Sequence, residues 1–455
     1  MSSRISRRRF LETTAATGAL AAGTQITLPA APPSAANARP VRFGMIGVGM
    51  RGADLLSHAI RLPGVRCGGV AELYDGRMEL AREILRGVEP AAAVAALPQT
   101  RDYRQLLARS DIECVIAAVP DHWHQRIILD ALHAGKDIYC EKPMTHLPQE
   151  GDEIVAACRR TGHFVQVGSQ EPGSVLYQKA RELVAAGAIG PVSLVESSLG
   201  RDNACGAWRY AIPPDLSPRT LDWHTWLGSA PQRPFSPERF ARWRCWNDYG
   251  EGVSGDLFIH SLTGIHYVMG VAAPPRRAYS TGGLFRWKDG RDAPDVLTTI
   301  YEYPSFRATL RVTLVTGQPE IYRFMGERGV LEMRGIENPD SFSIYPQDGR
   351  NHSPCDPSWP QAMAESYERA WYKKHRTAPG TAQPIESQTW SVPPGYDDTR
   401  DHLWNYFQSV RTRQQPVEDA VFGNHAALAC HMANFSYFHN APAVWNESAR
   451  AIETA

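Results

Sequence analysis

The sequence has no net charge and no long apolar run. Its 455 residues include 48 basic and 48 acidic side chains, so no overall field would attract nucleic acid, an anionic membrane or a polyacidic substrate. No segment after the N-terminus has the roughly 18 uninterrupted apolar residues that a membrane-spanning helix needs. We therefore expect a soluble mature protein whose ligand is small and roughly neutral, with no nucleic-acid or membrane partner.

The sequence also lacks the spacing of a metal site. Its eight cysteines include no Cys-x-x-Cys pair and no zinc-ligand spacing, and buried free thiols are the expected state. His122-Trp123-His124 superficially resembles a metal-binding pair, but no third ligand follows at a recognisable spacing. The sequence predicts no metal ion.

The first forty residues have the order of an export signal. Ser6-Arg7-Arg8-Arg9-Phe10-Leu11 precedes a weakly apolar stretch to Ala22, and a Pro-Ala-rich segment ends in Ala36-Asn37-Ala38. Consecutive arginines, small apolar residues and an A-x-A site are typical of a twin-arginine signal; an arginine-rich tail without a targeting role is the alternative. We expect residues 1–38 to direct export to the periplasm, or otherwise out of the cytoplasm, after any cofactor is bound.

A glycine-rich turn follows the first strand-like segment. Residues 41–46 are mostly apolar, and Gly47-Val48-Gly49-Met50-Arg51-Gly52 then has the pattern G-x-G-x-x-G before a helix-compatible segment. Gly47 would allow a tight turn, Gly49 would let a pyrophosphate approach the backbone, and Gly52 would let the helix pack closely. The pattern predicts a dinucleotide site, although such a turn can also be purely structural.

The next apolar run, residues 65–71, ends in Glu72. A carboxylate about twenty residues past the glycines is typical of dinucleotide sites, where it accepts hydrogen bonds from the ribose hydroxyls. Glu72 would repel a 2′-phosphate and so favours NAD over NADP. Arg77 or Arg51 could instead offset this charge and admit the phosphate.

Strand and helix patterns continue to alternate, with helices predicted at 103–108 and 124–134 and strands at 113–119 and 137–140. This alternation predicts a parallel sheet with right-handed crossovers. Pro120 and Glu141-Lys142-Pro143 would then lie at the carboxyl ends of strands, the edge at which ligands bind.

Lys142 is flanked by an acid and a proline. Pro143 disfavours helical backbone at Lys142 and so fixes the lysine in an extended conformation at the sheet edge. An ammonium there could hydrogen-bond a substrate hydroxyl, stabilise a developing alkoxide or exchange its proton. An ordinary surface lysine after a strand is the alternative.

A second polar group lies at residues 255–266. If this segment is helical, Asp256 and His260 lie four residues apart on one face, where the carboxylate could orient the imidazole and raise its basicity. The pair would act as a general base for a hydroxyl proton; a buried histidine beside a helix N-terminal aspartate is the alternative. His266 lies on another face and is expected to flank the site or to pack.

Cations and aromatic rings alternate in Arg242-Trp243-Arg244-Cys245-Trp246, with Tyr249 nearby. Such a segment could line a sugar pocket or bind anionic ligand groups. The segment could equally be a surface on which the arginine side chains stack on the aromatic rings.

Taken together, these residues resemble the Gfo/Idh/MocA oxidoreductases, a family named for glucose-fructose oxidoreductase and inositol dehydrogenase. The resemblance extends from Val41 to about Glu447. The segments that carry it are the G-x-G-x-x-G turn, Val119-Pro120-Asp121-His122-Trp123-His124, Ala131-Leu132-His133-Ala134-Gly135-Lys136, Glu141-Lys142-Pro143 and the Asp256-x-x-x-His260 pair.

The resemblance implies an α/β fold in two domains. A Rossmann NAD-binding domain would span residues 39–165, and an α+β domain with a large, mostly antiparallel open sheet would span 166–400. Residues 347–396, rich in Pro, Ser, His and Asp, are expected to form an irregular insertion, and residues 401–455 a helical return segment. The open sheet would suit a homo-oligomer, either a dimer or a tetramer.

The resemblance also implies roles for the motif residues. Lys142, Asp256 and His260 look like the catalytic residues, and Glu141 looks like a contact to the nicotinamide ribose. The predicted cofactor-binding residues are Gly47, Val48, Gly49, Met50, Arg51, Gly52, Glu72, Arg77, Pro120, His122, His124, Glu141, Lys142 and Gln170. The predicted substrate-binding residues are Lys142, Trp243, Arg244, Tyr249, His260 and His266.

The implied activity is NAD(P)-dependent oxidation or reduction of a secondary hydroxyl on a small carbohydrate, polyol or glycoside. Free NAD should be scarce outside the cytoplasm, so the cofactor is expected to be held tightly. Redox-neutral glycoside cleavage, through oxidation, elimination, addition of water and reduction, is the first alternative. A non-catalytic sugar-binding protein is the second.

Overall fold

The computed structural model describes residues 24–26, 40–336, 339–347, 353–356, 358–375 and 387–455. Most of the predicted export signal at 1–38 lies outside the described residues. Within that signal, the short strand β1 (Thr24–Gln25) pairs in parallel with Trp390 and Ser391. The described chain forms two domains, each built on one β-sheet.

The first domain follows the predicted alternation of strands and helices. Its strands are β2 (Val41–Ile46), β3 (Val65–Ala71), β4 (Gln99–Thr100), β5 (Cys114–Ala117), β6 (Asp137–Glu141) and β7 (Val165–Gly168). Its helices are α1 (Met50–Ala59), α2 (Asp75–Arg86), α3 (Ala91–Ala96), α4 (Arg104–Leu107), α5 (His124–His133) and α6 (Glu150–Thr161).

These strands are parallel and lie in the order β4-β3-β2-β5-β6-β7. β5, β6 and β7 are buried along their whole length, as expected for a parallel sheet covered by helices on both faces. The strand order reverses between β2 and β5, and ligands bind to doubly wound sheets beyond the strand ends at such a switch point.

The second domain is built on a sheet of eleven strands. Besides β1, these are β8 (Val192–Gly200), β9 (Arg277–Gly283), β10 (Val296–Glu302), β11 (Arg307–Thr313), β12 (Gln318–Gly326), β13 (Gly329–Arg334), β14 (Ser341–Pro346), β15 (Gln388–Ser391), β16 (Ala443–Asn446) and β17 (Ala451–Thr454). The remaining helices are α7 (Val175–Ala185), α8 (Trp223–Leu227), α9 (Pro237–Ala241), α10 (Ile259–Met269), α11 (Gln361–His375), α12 (Asp398–Thr412) and α13 (Ala420–His439).

The order of the second sheet is β1-β15-β14-β13-β12-β8-β11-β10-β9-β16-β17, and its pairs are antiparallel except β1 with β15 and β8 with β11. Its strands bury alternate residues. In β10, Leu297 and Tyr301 are fully buried, whereas Ile300 on the opposite face is 46% exposed. This period of two is typical of a sheet with one covered face. The predicted fold class, a Rossmann domain with a large, mostly antiparallel sheet, is therefore confirmed.

The expected irregular insertion at 347–396 has regular structure in its described part. It contains α11 and β15. Strong helix formers such as Ala, Glu, Met and Lys dominate α11 and follow directly after Pro360. The polar composition that suggested a loop is instead that of a helix with no buried side chain.

The C-terminal segment returns to both domains. Phe407 of α12 lies in the core of the first domain, and the Tyr406 hydroxyl of the same helix donates hydrogen bonds to the carbonyls of Val115 and Asp137, at 2.9 and 3.1 Å. α13 packs against β9, and the β16-β17 hairpin then extends the second sheet. We expected this segment to be helical. The sequence did not reveal the hairpin because its two strands are only four residues long and carry little periodicity.

None of the helices within the described ranges is long and apolar enough to span a bilayer. The eight cysteines are free, and Cys114, Cys140, Cys245 and Cys430 are buried.

We predict that Gly52→Ala destabilises the first domain by about 1–3 kcal/mol, the usual cost of overpacking. A Cβ atom at Gly52 would collide with the carbonyl oxygen of Gly47, a backbone atom that cannot rotate away. Gly49→Ala is the matched control, because its Cβ would lie 3.6 Å from the guanidinium of Arg77. Urea unfolding of both variants checks this; equal losses of unfolding free energy would contradict it.

Candidate functional site

A cavity of about 730 Å³ lies between the carboxyl ends of the first sheet and the second domain. Its volume is typical of a ligand site. The predicted site residues that line it are Gly49, Met50, Arg51, Arg77, Pro120, Glu141, Lys142, Gln170, Trp243, Arg244, Asp256 and His260. Gly47 and Glu72 line a narrower pocket that adjoins it.

The glycine turn has the shape that a dinucleotide needs. Gly47 has a φ of +82°, and its Cβ would meet the carbonyl oxygen of Ala118 at 2.5 Å, so only glycine fits. A Cβ atom at Gly49 would face the Arg77 guanidinium. No side chain caps α1, and its first residues, Met50 and Arg51, line the cavity. The helix N-terminus is thus available to an anion. Val48 and Gly52 are buried behind this turn.

Glu72 is fixed at the narrower pocket by three backbone donors. Its Oε2 accepts the amide of Val48 at 2.7 Å, and its Oε1 accepts the amides of Leu73 and Tyr74 at 2.8 and 3.0 Å. A carboxylate keeps further acceptor capacity after such contacts. The position and orientation of Glu72 fit a ribose hydroxyl.

Of the two arginines that could offset the charge of Glu72, Arg77 lies beside it in the narrower pocket and Arg51 does not. Arg51 pairs with Glu141 at 2.9 Å and with Asp54 at 2.6 Å. Arg77 lines both pockets and stacks on the ring of Phe240 at 4.6 Å.

Lys142 is held by the second domain. Its Nζ donates to the backbone carbonyl of Asp256 at 2.7 Å and to the carboxylate Oδ1 at 3.1 Å. The same Oδ1 accepts Arg244 Nε at 2.8 Å, and Oδ2 accepts Trp208 Nε1 at 3.1 Å. Burial alone would raise the pKa of Asp256, but the charges of Lys142 and Arg244 outweigh it and hold the pKa well below its usual value. Asp256 is therefore a fixed anion.

The expected orientation of His260 by Asp256 needs correction. Residues Ser254–Phe258 form a π-helical turn before α10, so the four-residue spacing does not have its α-helical geometry. The Asp256 oxygens receive Lys142 and Arg244, and His260 Nδ1 lies 2.8 Å from Oε1 of Glu171. Two separate pairs therefore replace the predicted dyad.

His122, Tyr249 and His266 are not part of the cavity wall. The ring nitrogens of His122 contact the carbonyls of Tyr249 and Trp226, at 3.4 and 3.1 Å, and burial lowers its pKa to about 4. Tyr249 is fully buried against Trp226, and His266 Nε2 lies 2.7 Å from the Tyr303 hydroxyl. Burial also lowers the pKa of His266, to about 3. All three were predicted to bind the cofactor or the substrate, and the structure places them in the core rather than at this cavity.

His124 is buried as well, and it supports the site indirectly. Its Nδ1 lies 2.7 Å from the carbonyl of Pro143 and its Nε2 lies 3.0 Å from the carbonyl of Val119. The imidazole thus joins the loops after β5 and β6 and holds the backbone beside Lys142, where the Lys142–Pro143 peptide bond is cis.

The cavity lining also includes residues that were not predicted as site residues, among them Asp121, Arg201 and Tyr210. Asp121 is buried at its wall, and its Oδ2 accepts the amide of Glu251 at 3.2 Å. Burial, with the charges of Glu251 and Asp256, raises the pKa of Asp121 well above its usual value. Arg201 and Tyr210 also line the cavity. The position of Asp121 after Pro120 could have signalled it, whereas Arg201 and Tyr210 carry no motif.

The narrower pocket has a roof from the second domain. Thr225 and Trp226 of α8 line it opposite the glycine turn. The Trp226 carbonyl accepts Trp123 Nε1 at 2.9 Å, so α8 is tied to the first domain.

In the part of the chain that the structure describes, no three His, Cys, Asp or Glu side chains are grouped to hold a metal ion.

Solved structures share this fold. An aldose-aldose oxidoreductase from Caulobacter crescentus superposes with a TM-score of 0.63 at 15% identity, over 89% of this chain and 100% of that one. A 3-ketoreductase from Actinomadura kijaniata, solved with NADP, superposes with a TM-score of 0.60 at 16% identity, over 88% and 98% of the two chains.

Sequence relatives match over a shorter range. An alpha-N-acetylgalactosaminidase of Shewanella oneidensis is 32% identical over 122 residues, which are 27% of this chain and 26% of that protein. An uncharacterized oxidoreductase of Bacillus subtilis is 28% identical over 153 residues, 34% of this chain and 42% of that protein. The chain thus matches less than half the length of these curated relatives.

Family models match both domains. Residues 41–169 match the NAD-binding Rossmann fold of the Gfo/Idh/MocA oxidoreductases, and residues 177–275 match the C-terminal alpha/beta domain of the same family. Together these ranges span half of the sequence. The chain therefore belongs to the Gfo/Idh/MocA oxidoreductase family.

Proposed function

We propose that the protein transfers a hydride between a nicotinamide dinucleotide and a secondary hydroxyl of a sugar, cyclitol or glycoside. One observation carries this proposal: Lys142, Asp256 and His260 line the same cavity as the glycine turn and the N-terminus of α1. Proton-transfer groups and a dinucleotide cradle thus share one site.

The residues present fit the cofactor. The pyrophosphate would lie against Gly49, which has no side chain to obstruct it, and against the uncapped N-terminus of α1, whose first residues line the cavity. Glu72 would bind the adenosine ribose, and its charge favours NAD over NADP. Arg77 stacks on Phe240 near the same pocket and is the residue through which NADP would be admitted.

The bound nicotinamide would accept or return the hydride of the substrate carbon. The Lys142 ammonium would polarise the substrate oxygen and stabilise its developing negative charge. Asp256 holds Lys142 in place through two contacts. His260 would take the hydroxyl proton during oxidation and give it back during reduction.

Redox-neutral glycoside cleavage is the second candidate, and the roof over the narrower pocket favours it. That reaction returns the hydride to the substrate, so the cofactor never needs to leave. Residues 213–250 cross to the first domain: Thr220 accepts the amide of Asp75 at 2.9 Å, the Tyr74 hydroxyl donates to Asp215, and Thr225 and Trp226 close the pocket. The similarity to an alpha-N-acetylgalactosaminidase over 122 residues points the same way.

We infer further that the mature chain works outside the cytoplasm with its cofactor retained, because the N-terminal residues have the order of a twin-arginine signal. We also infer that it forms a homo-oligomer through the open face of the second sheet. Tyr279 and Ile300 are directly paired on that face, and each is 46% exposed.

The central experiment is to purify the protein without added cofactor, release any nucleotide and identify it by mass. The protein is then incubated with a panel of sugars and nitrophenyl glycosides while reduced nicotinamide and products are followed. Net reduction of NAD supports the oxidoreductase, and aglycone release without net reduction supports glycoside cleavage. If sugars bind but neither reaction occurs with any member of the panel, the protein is a binding protein and the proposal is wrong.

We predict that Lys142→Met lowers kcat by about 100-fold or more, the usual contribution of a positioned acid or base. Bound nucleotide should persist, because the glycine turn and Glu72 are untouched. Lys179→Met is the matched control, since Lys179 pairs with Glu182 on the exposed surface of α7. Full turnover by Lys142→Met would exclude the role of this lysine.

We predict that Tyr74→Phe speeds the dissociation of bound NAD several-fold, because the hydroxyl that ties residues 213–250 to the first domain is lost. Tyr396→Phe is the control, since it removes a hydroxyl that contacts the Val175 amide instead. Nucleotide loss during dilution, followed by mass, gives both rates. Indistinguishable rates would show that the roof does not retain the nucleotide.

A further inference from the structure

We propose that Glu171 is the positioning residue of His260: it holds Nδ1 of the imidazole and thereby directs Nε2 to the proton of the substrate hydroxyl. The proposal rests on the oxidoreductase function given above. It assigns to a glutamate near β7 the part that the sequence pattern gave to Asp256.

The contact between the two side chains is short and buried. Glu171 Oε1 lies 2.8 Å from His260 Nδ1, and the residues are 3% and 5% exposed. Within the described chain, Glu171 Oε2 is buried without a hydrogen-bond partner. The hydrogen bonding of this carboxylate is therefore directed at the imidazole.

Both partners are fixed by their backbones. Glu171 begins a 3₁₀ turn directly after Gln170, and its carbonyl accepts the amide of Ser174 at 3.1 Å. The Tyr322 hydroxyl donates to the carbonyl of His260 at 2.9 Å. Because neither backbone is in a free loop, the pair presents one orientation of the imidazole to the cavity that His260 lines.

Several ionisable groups surround this pair. Burial and the charge of Glu171 raise the pKa of Asp398 to about 7 and the pKa of Glu418 well above its usual value. On the cavity side, Asp256 is paired with Lys142 and Arg244. Asp256 is thus committed to cations, and Glu171 contacts Nδ1 of the imidazole.

This arrangement determines the direction of proton transfer. A carboxylate at Nδ1 holds the proton of the neutral ring there and leaves Nε2 as the acceptor. In the oxidation, Nε2 would take the proton released as the hydroxyl O–H bond breaks, and the bound nicotinamide would supply the acceptor for the hydride of the same carbon, so that a carbonyl forms. The negative charge of Glu171 then stabilises the imidazolium. The reduction runs through the same groups in reverse.

The sign of the effect on His260 follows from this charge. A neighbouring anion favours the imidazolium and raises the pKa of the ring. Glu171→Gln keeps the shape but removes the charge, so it should lower the pKa of His260 by about one unit or more. The acid limb of the kcat/KM profile should move to lower pH by the same amount, and kcat should fall at least about tenfold because a weaker base remains.

The test follows the imidazole itself. Histidine labelled with ¹³C at Cε1 is titrated by NMR in the nucleotide-bound protein, and the His260 signal is assigned from the His260→Asn variant. Glu418→Gln is the matched control. Glu418 is a buried neighbour of Glu171, and the histidine beside Glu418 is His402, at 3.9 Å. Glu171→Asp keeps the charge but shortens the reach, and serves as the second variant if Glu171→Gln unfolds.

In Glu171→Gln we expect a lower His260 pKa and a lower kcat, with KM changed less than about threefold. The His260 pKa and kcat should change less in Glu171→Asp and little in Glu418→Gln. An unchanged His260 pKa in Glu171→Gln, or an equal shift in Glu418→Gln, would overturn the proposal. The titration needs no substrate. A shifted pKa in a protein that turns over no sugar would therefore support the pairing and contradict the oxidoreductase function.

Discussion

The structure depends on one partly buried ion pair that joins its two domains. Lys142 comes from the end of β6 in the Rossmann domain, and Asp256 precedes α10 in the second domain. Arg244 shares the same carboxylate oxygen. Removing Asp256 would leave two partly buried cations without their anion, which is destabilising. The pair therefore couples the relative position of the domains to the position of the ammonium at the cavity.

The remaining site residues are arranged around this pair. The π-helical turn at Ser254–Phe258 directs Asp256 toward Lys142, and it leaves His260 beside a different carboxylate, Glu171. His124 holds the backbone around Lys142 from the other side. Lys142 and His260 are thus each held by a different carboxylate, so the Lys142 contact and the His260 contact can change independently.

The sequence predicted the first domain well because its signals are local. An apolar strand, three glycines and a helix lie within twenty residues of one another, and Gly47 and Gly52 occupy positions where a Cβ would collide with backbone. β2 and β3 have the predicted bounds for the same reason. Lys142 also follows from local pattern, since it lies between Glu141 and Pro143 at a strand end.

The partners of the site residues could not be predicted in this way, because they come from distant parts of the chain. Glu171 precedes His260 by 89 positions, and Thr225 and Trp226 reach the narrower pocket from a segment without a motif. His122, Tyr249 and His266 have residue types suited to binding, but only tertiary packing decides that they are buried in the core. The four-residue spacing of Asp256 and His260 was misleading because it assumed an α-helix.

The central claim is that Lys142, His260 and a retained dinucleotide act on one substrate in one cavity. Rapid mixing of the nucleotide-bound protein with a reactive sugar or glycoside, followed through the absorbance of reduced nicotinamide, tests it most directly. The account predicts that reduced nicotinamide appears within the first turnover, at no more than one equivalent per chain, and that this signal disappears in Lys142→Met. Turnover of a substrate with no reduced nicotinamide at any time would contradict it.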